Sequence, residues 1–516
     1  MPAAPPAQYD IAVIGAGING AGIARDAAGR GLSVLVVERG DIAGATSQWS
    51  TKLIHGGLRY LEHYEFRLVR ESLAEREVLL SCAPHLVQPL AFVLPHEPHL
   101  RPAWMIRIGL FLYDHLGRRE TLPGSFGVDL AGTGWGAGLK PKFRRGFVYA
   151  DARVDDARLV LHNVIAARAL GADVRVRTRF AAAVRGADGW RITLEDAAGA
   201  RSEVAAKVIV NTAGPWVKEV RDAAGPSPAT ERVRHVKGSH IIVPRVHAEP
   251  HAYILQNADN RIVFVIPYQD RYSLIGTTDV PVEEYEAPQI TDTETDYLLD
   301  LANTYLAKPL SRADVVWSFS GVRPLYDDGA SDPSAITRDY VLRIDTGNGK
   351  GTATPAGAPM LSVFGGKLTT YRKLAEHALA ELKPYLPPAG PAWTQKAALP
   401  GGDLPPGGLA AWVAELGRRY PALPGALLND LAHRHGSLAI AVLGDAKLPA
   451  DLGEDFGHGL TAAEIDYCIR EEWARTAADV LWRRTKCGLA MTEAERSRVA
   501  AYVATAGAAV EAAAPA

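Results

Sequence analysis

Two hydrophobic periods alternate along this chain. Near the N-terminus, Ile11-Ala12-Val13-Ile14 is a continuous apolar run, the pattern of a strand buried on both faces. An alanine-rich stretch to Arg30 follows and reads as a helix, and Val34-Leu35-Val36-Val37 is a second buried strand. Residues 64–80 are charged and periodic and predict a helix. Residues 86–145 are punctuated by Pro and Gly and read as an insertion. Residues 149–169 and 174–210 return to a helix and short strands, with a hairpin-like run around Asp188-Gly189. Strand patterns and loops then alternate over residues 235–330. The arrangement predicts a discontinuous first domain (residues 9–85, 146–234 and 335–385) interrupted by a second (86–145 and 235–334).

A Pro/Gly cluster at 386–408, with Pro387-Pro388 and Pro405-Pro406, signals a linker. Residues 409–505 read as a helical domain. There Thr461-Ala462-Ala463-Glu464 predicts a capping box, and Ile465, Ile469, Trp473, Ala477, Val480 and Leu481 predict one apolar face. Thr492-Glu493-Ala494-Glu495 predicts a second cap. The low-complexity residues 506–516 predict a disordered tail.

Chemistry enters at the first turn. Gly15-Ala16-Gly17-Ile18-Asn19-Gly20 is a G-x-G-x-x-G sequence between strand and helix. Gly15 allows the tight turn, Gly17 lets a pyrophosphate approach the backbone, and Gly20 lets the helix pack close to the strand. The helix N-terminus faces the phosphates with free N–H groups and a positive dipole. Glu38 ends the second strand eighteen residues after Gly20, where an acid accepts ribose hydroxyls. The complete βαβ unit predicts dinucleotide binding but does not separate NAD from FAD.

Composition narrows the setting. A chain of 516 residues implies about three domains, and 47% apolar content is ample for buried cores. The three cysteines, Cys82, Cys468 and Cys487, lie far apart and form no metal pattern, so no metal is expected. Their scarcity suits a reducing compartment. Residues 1–8 lack the basic and apolar regions of a secretory signal, and no apolar run approaches the eighteen residues of a membrane span. Net charge is −2, so no global field points to nucleic acid. Residues 101–119 (RPAWMIRIGLFLYDHLGRR) combine an apolar centre with basic ends. That composition fits a helix lying in a bilayer interface and equally a buried core helix.

Longer motifs settle the flavin question. Gly44-Ala45-Thr46-Ser47 leads directly into Ser50-Thr51-Lys52-Leu53-Ile54-His55-Gly56-Gly57-Leu58-Arg59-Tyr60-Leu61-Glu62. Further on come Asn211-Thr212-Ala213-Gly214-Pro215-Trp216, Lys237-Gly238-Ser239-His240, Ile275-Gly276-Thr277-Thr278-Asp279, Ser320-Gly321-Val322-Arg323-Pro324, Thr337-Arg338-Asp339-Tyr340 and Gly365-Gly366-Lys367-Leu368-Thr369-Thr370. In this order and spacing they resemble the FAD-dependent, quinone-linked glycerol-3-phosphate dehydrogenase family, within the amino-acid-oxidase-like flavoproteins. Gln48 and Trp49 depart from the small residues usual there, and residues 117–142 match only loosely.

The resemblance implies an α/β FAD-binding Rossmann-like domain (amino-acid-oxidase-like), an inserted α+β substrate domain and a C-terminal α-helical domain. It implies non-covalent FAD held by Gly15, Gly17, Gly20 and Glu38. Thr46, Ser47, Lys52, Leu53, His55, Gly56, Gly57, Ala213, Gly214, Gly366, Leu368 and Thr369 would line the cofactor. Lys367 would sit at the flavin N1–C2 edge, where negative charge develops on reduction. It implies oxidation of sn-glycerol 3-phosphate to dihydroxyacetone phosphate, with electrons passed to a membrane quinone. It places the chain in the cytoplasm or on the cytoplasmic face of the inner membrane surface and leaves a homo-oligomer open.

A phosphate monoester needs planar, permanently charged donors, which arginine supplies. Arg59, Arg323 and Arg338 occupy glycine- or proline-marked turns, and with Tyr60 and Thr278 form the expected substrate set. The C2 hydroxyl proton needs a base that is neutral near pH 7, which suits histidine. His55 and His240 are the candidates with motif support, His240 the preferred one. A glycerol-3-phosphate oxidase using oxygen, or a non-catalytic flavoprotein of this fold, are the alternatives.

Overall fold

A computed structural model describes residues 6–97, 101–225, 232–257, 261–327, 339–347 and 357–513, and the side chains of 59, 62, 63 and 509–513 are outside that description. Two large sheets share the first 385 residues. In the first, strand Ala7–Ile14 lies between Val34–Glu38 and Arg201–Asn211, parallel to both, with Ile11 opposite Val34 and Val208. Met360–Phe364 and Val341–Asp345 extend one edge, and Asp173–Val176 the other. The antiparallel hairpin Thr178–Arg185/Trp190–Asp196 turns at Asp188-Gly189 and joins through Arg201–Asn211. Helices Ile18–Gly29, Asp156–Ala169 and Tyr371–Leu382 cover this sheet around a core that includes Ile11, Val36, Val160 and Leu374. The crevice at the carboxyl end of Ala7–Ile14 is where a parallel sheet of this kind binds ligands.

The second sheet has ten strands and is mostly antiparallel. Its long strand Arg232–Pro244 pairs with Trp317–Asp327 from Arg232↔Asp327 to Ile242↔Trp317. Helix Asp292–Tyr305 packs on one face, started by a capping box in which the Glu294 N–H donates to Thr291 Oγ1 and the Thr291 N–H to Glu294. Strand Arg145–Val154 belongs to this sheet, paired with Val87–Pro95. The expected return to the first domain at 146 therefore comes one element later, at helix Asp156–Ala169.

Residues 386–408 do not hang free. Trp393 sits where Gly29 lacks a Cβ, its indole N–H donates to Asp26 O (3.2 Å), and Arg25 reaches from the ring to Ala397 O (2.9 Å). Proline here stiffens a docked strap. Beyond it, helices Gly408–Arg419, Gly425–His435, Ala462–Glu471 and Glu493–Ala513 form the C-terminal domain.

Three expectations there need correction. Thr461 makes no capping bond, because Glu464 is drawn instead to Arg434 and His435. The apolar face predicted from Ile465 to Leu481 is broken at Trp473, whose left-handed backbone follows the helix end, so Val480 and Leu481 belong to a separate turn. The tail predicted as disordered is helical to Ala513, as its alanine content favours. The cap at Thr492–Glu495 is formed.

Candidate active site

The fingerprint turn opens into a cavity of about 590 Å³ lined by Gly15, Gly17, Glu38, Thr46, Ser47, Ala213, Gly214 and Gly366, among others. Gly15 has φ +104°, and a Cβ on Gly20 would lie 2.0 Å from Gly15 O, so helix and turn meet at backbone distance. Ser47 Oγ accepts from the Ile18 N–H (3.0 Å) at the start of helix Ile18–Gly29, and Thr46 Oγ1 donates to Val322 O (2.7 Å). That ties the loop to both domains. Glu38 accepts from the N–H groups of Ala16 and Gly40, both at 2.8 Å, although burial raises its pKa. The acid expected at the ribose is therefore preset at the cavity wall.

FAD fits these residues on a second observation. Among the described residues Lys367 Nζ is buried with no hydrogen-bond partner, 3.9 Å from the Tyr60 ring centroid and beside the cavity-lining Gly366. A buried ammonium without a hydrogen-bond acceptor is costly, and an anionic flavin edge would relieve that cost. His55 follows strand Leu53–Ile54, and its N–H donates to Thr369 Oγ1 (3.2 Å). Burial lowers the pKa of His55, with Lys367 and Arg76 adding to the fall against Asp151. The Gly56 N–H donates to Tyr113 Oη (2.9 Å), and Gly57, with φ +77°, leaves room for the Tyr60 ring.

Strand parity divides the remaining candidates. One face of the Arg232–Pro244/Trp317–Asp327 pair carries Gly238, His240, Phe319, Gly321 and Arg323. It meets Trp49 of the cavity wall, which stacks on Phe319 at 5.4 Å and packs on Gly321. His240 stacks on Phe319 at 4.8 Å, its Nε2 is 3.0 Å from Thr51 Oγ1, and its Nδ1 has no hydrogen-bond partner among the described residues. Burial, with Arg323 and Lys52 nearby, holds its pKa well below the ordinary value. Arg323 pairs with Asp279 and lies 3.5 Å from Thr277 Oγ1. A Cβ on Gly238 would come within 2.8 Å of both Arg323 and Thr277, so that glycine makes space for the guanidinium.

The opposite face corrects Thr278. Its hydroxyl donates to Glu294 (2.9 Å) and accepts from the Ser239 N–H (2.9 Å), so it is a fixed contact to helix Asp292–Tyr305, and Thr277 is the threonine beside Arg323. Lys52 is corrected too: its Nζ is committed to Asp156 (2.8 Å) and Gln48 O (2.8 Å). Leu53 packs in the core of the second sheet. Leu368 packs against the first core and Thr369 serves the His55 backbone. Arg338 and the side chain of Arg59 lie outside the described residues. Trp49, Asp279 and Asn19, whose Nδ2 donates to Gly365 O (3.0 Å), carry no assigned role in the sequence reading, although each lies in or beside a motif quoted there.

Comparison with known proteins agrees with this geometry. Residues 10–372 match the FAD dependent oxidoreductase family, and residues 392–511 match the C-terminal domain of alpha-glycerophosphate oxidase. The aerobic glycerol-3-phosphate dehydrogenase of Escherichia coli (strain K12) is 54% identical over 496 residues, 96% of this chain and 97% of that one. The D-erythritol 1-phosphate dehydrogenase of Brucella abortus (strain 2308) is 48% identical over 496 residues, again covering 96% and 97%. The solved glycerol-3-phosphate dehydrogenase of Bacillus halodurans, complexed with FAD, superposes with TM-score 0.70 at 25% identity, covering 97% of this chain and 94% of that one. The chain therefore belongs to the FAD-dependent oxidoreductases, as an FAD enzyme of the glycerol-3-phosphate dehydrogenase family.

Proposed function

We propose that this enzyme oxidises sn-glycerol 3-phosphate to dihydroxyacetone phosphate and passes the electrons to a membrane quinone. The observation that carries the reading is the shared face of one strand pair: Arg323 and His240 lie on the same face, and that face packs on Trp49, a residue of the cofactor-cavity wall. Arg323, with Arg59 and Arg338, binds the phosphate, Tyr60 packs beside it, and His240 takes the C2 hydroxyl proton as the C2 hydrogen leaves as hydride. When bound, the flavin supplies a two-electron acceptor able to release electrons singly to a quinone. Lys367 would hold the flavin edge on which negative charge develops on reduction.

Anaerobic addition of glycerol 3-phosphate should bleach the yellow protein, and aerobic turnover should release little peroxide. Acid precipitation should leave the flavin in the supernatant. Stoichiometric peroxide would favour the oxidase alternative, and no bleaching would overturn the reading. The 48% identical relative gives D-erythritol 1-phosphate as the competing substrate, and kcat/KM for the two decides between them. Arg323→Ala should cost about 1.5–3 kcal/mol of transition-state stabilisation, roughly ten- to a hundredfold in kcat/KM. Unchanged kinetics with FAD retained would remove Arg323 from the substrate site.

The membrane partner has its own support. Helix Ala103–Leu116 buries Leu110 and Tyr113 but exposes Trp104, Ile108 and Phe111 at 62%, 51% and 58%. Tyr64 and Phe66, on a segment packed beside it, are exposed as well. Among the described residues no helix is long and apolar enough to cross a membrane. An apolar face with Arg101, Arg107, Arg118 and Arg119 near it suits peripheral attachment to an anionic cytoplasmic face. The helix's inner side reaches the flavin loop through Tyr113 and Gly56, which brings the quinone's phase near the cofactor. Phe111→Asp with Leu112→Asp should weaken binding to anionic vesicles at least tenfold, since each change removes about 1.5–3 kcal/mol of apolar burial. A folded double variant that sediments with vesicles like the parent would assign attachment to another surface.

A further inference from the structure

We propose that the loop between strand Val280–Pro281 and helix Asp292–Tyr305 is a clasp over the adenosine end of the FAD cavity, and that Tyr285 and Glu286 set how long the cofactor stays bound. The inference rests on FAD occupying the cavity described above. Glu38 marks the ribose end of that cavity, and the next residue, Arg39, holds its guanidinium 3.9 Å from the Trp216 ring centroid. Both belong to the nucleotide domain. Glu286, from the substrate domain, bridges them: its carboxylate accepts from Trp216 Nε1 (2.6 Å) and Arg39 Nη2 (3.2 Å).

Tyr285 makes the second crossing. Its hydroxyl donates to Glu219 on helix Val217–Ala223, and its ring stacks on His235 at 4.0 Å. His235 Nε2 is in turn 3.1 Å from Pro215 O. Arg39, Trp216, Glu219, Tyr285 and Glu286 all line the cavity, so the crossing lies at the cavity and not at a remote seam. The loop is anchored further along, where Lys237 Nζ donates to Gln289 O (2.8 Å) and the Thr291 cap begins the helix.

The strength of these contacts argues for a gate. The Glu286 and Arg39 side chains are 71% and 47% exposed, and exposed ion pairs contribute little individually. They cannot lock two domains together, whose joint is made elsewhere. Acting in parallel across one opening, they favour the closed loop modestly, and cofactor escape follows the open fraction. The Arg39–Glu286 contact is also screened by salt, whereas the aromatic stack is not.

The test uses purified holoenzyme and the fluorescence of FAD as it leaves the protein. Tyr285→Ala with Glu286→Ala should release FAD about five- to tenfold faster than the parent. Glu286→Gln keeps an acceptor for the Trp216 N–H and loses only the charge. It should release FAD about two- to threefold faster and lose the parent's acceleration by salt. Tyr285→Phe, which keeps the stack, should lie between parent and double variant. A double variant with parental circular dichroism and parental FAD release overturns the clasp. Should the double variant not fold, an unaltered rate and unaltered salt response in Glu286→Gln overturns it as well. A parent chain that carries no FAD overturns the cofactor reading and the clasp with it, an outcome distinct from a clasp that merely fails to retain FAD.

Discussion

Replacing His240 by Asn should slow reduction of the bound flavin by roughly 10²–10⁴-fold in single-turnover mixing with glycerol 3-phosphate, with FAD retained. The reason is position combined with protonation state. His240 lies on the strand face that also bears Arg323, and Thr51 and the Phe319 ring fix its imidazole. Gly276 makes that placement possible, since a Cβ there would lie 2.1 Å from the ring. Burial, Arg323 and Lys52 all disfavour the imidazolium, so the ring stands ready as a proton acceptor. The sign of the pH dependence follows. A lowered pKa keeps the base form present as pH falls through about 6.5, so the reduction rate should hold there and decline only in more acidic solution. His55→Asn should behave differently, because that residue's backbone is part of the loop held by Thr369 and Tyr113. Near-parental reduction in both variants would send the proton elsewhere and end the assignment of His240.

The nucleotide half of this site was legible in the sequence because local constraints specify it. Gly15, Gly20 and Glu38 act through backbone approach and through the end of one strand, which a short window contains. Thr278 and Lys52 were misplaced for a different reason. Motif membership locates a segment but not the direction of each side chain: in the short loop after strand Tyr272–Gly276, Thr277 meets Arg323 while Thr278 meets Glu294. Lys52 shows the same limit, since its partner Asp156 is more than a hundred residues away. At Thr461 the local pattern was sound, yet a tertiary pair captured Glu464. The exposure of helix Ala103–Leu116 could not be read from composition, because an interface helix and a core helix use the same residues.

Arg158→Met should destabilise the protein by about 3–5 kcal/mol, a large share of a usual folding stability of about 5–15 kcal/mol. Arg158 is fully buried where helix Asp156–Ala169 meets the C-terminal domain. It donates to Glu472 (2.8 Å), to Arg484 O (3.0 Å) and to Arg434 O, and approaches His162 Nε2 and His435 Nδ1 at 3.0 Å. Burial alone would raise Glu472, but Arg158 and His435 outweigh it and hold the carboxylate well below its usual range. Removing the arginine strands that charge. The double variant Arg158→Met/Glu472→Met should therefore unfold at higher denaturant than Arg158→Met alone, because it removes both ions together. A double variant less stable than the single would show that Glu472 keeps a favourable partner in His435 and is not stranded by the loss of Arg158. The histidines of the cluster add a pH dependence. Burial, with Arg158 adjacent, lowers His162 to about 3, and burial with His162 puts His85 well below its ordinary value. Below about pH 6.5 the unfolded chain takes up protons that the folded cluster refuses, so stability falls as pH drops from there toward the folded values. Melting temperature should decline between pH 7 and 5.5, and His85→Asn with His162→Asn should flatten that decline. An equal decline in the double variant would move the acid sensitivity to the other buried histidines.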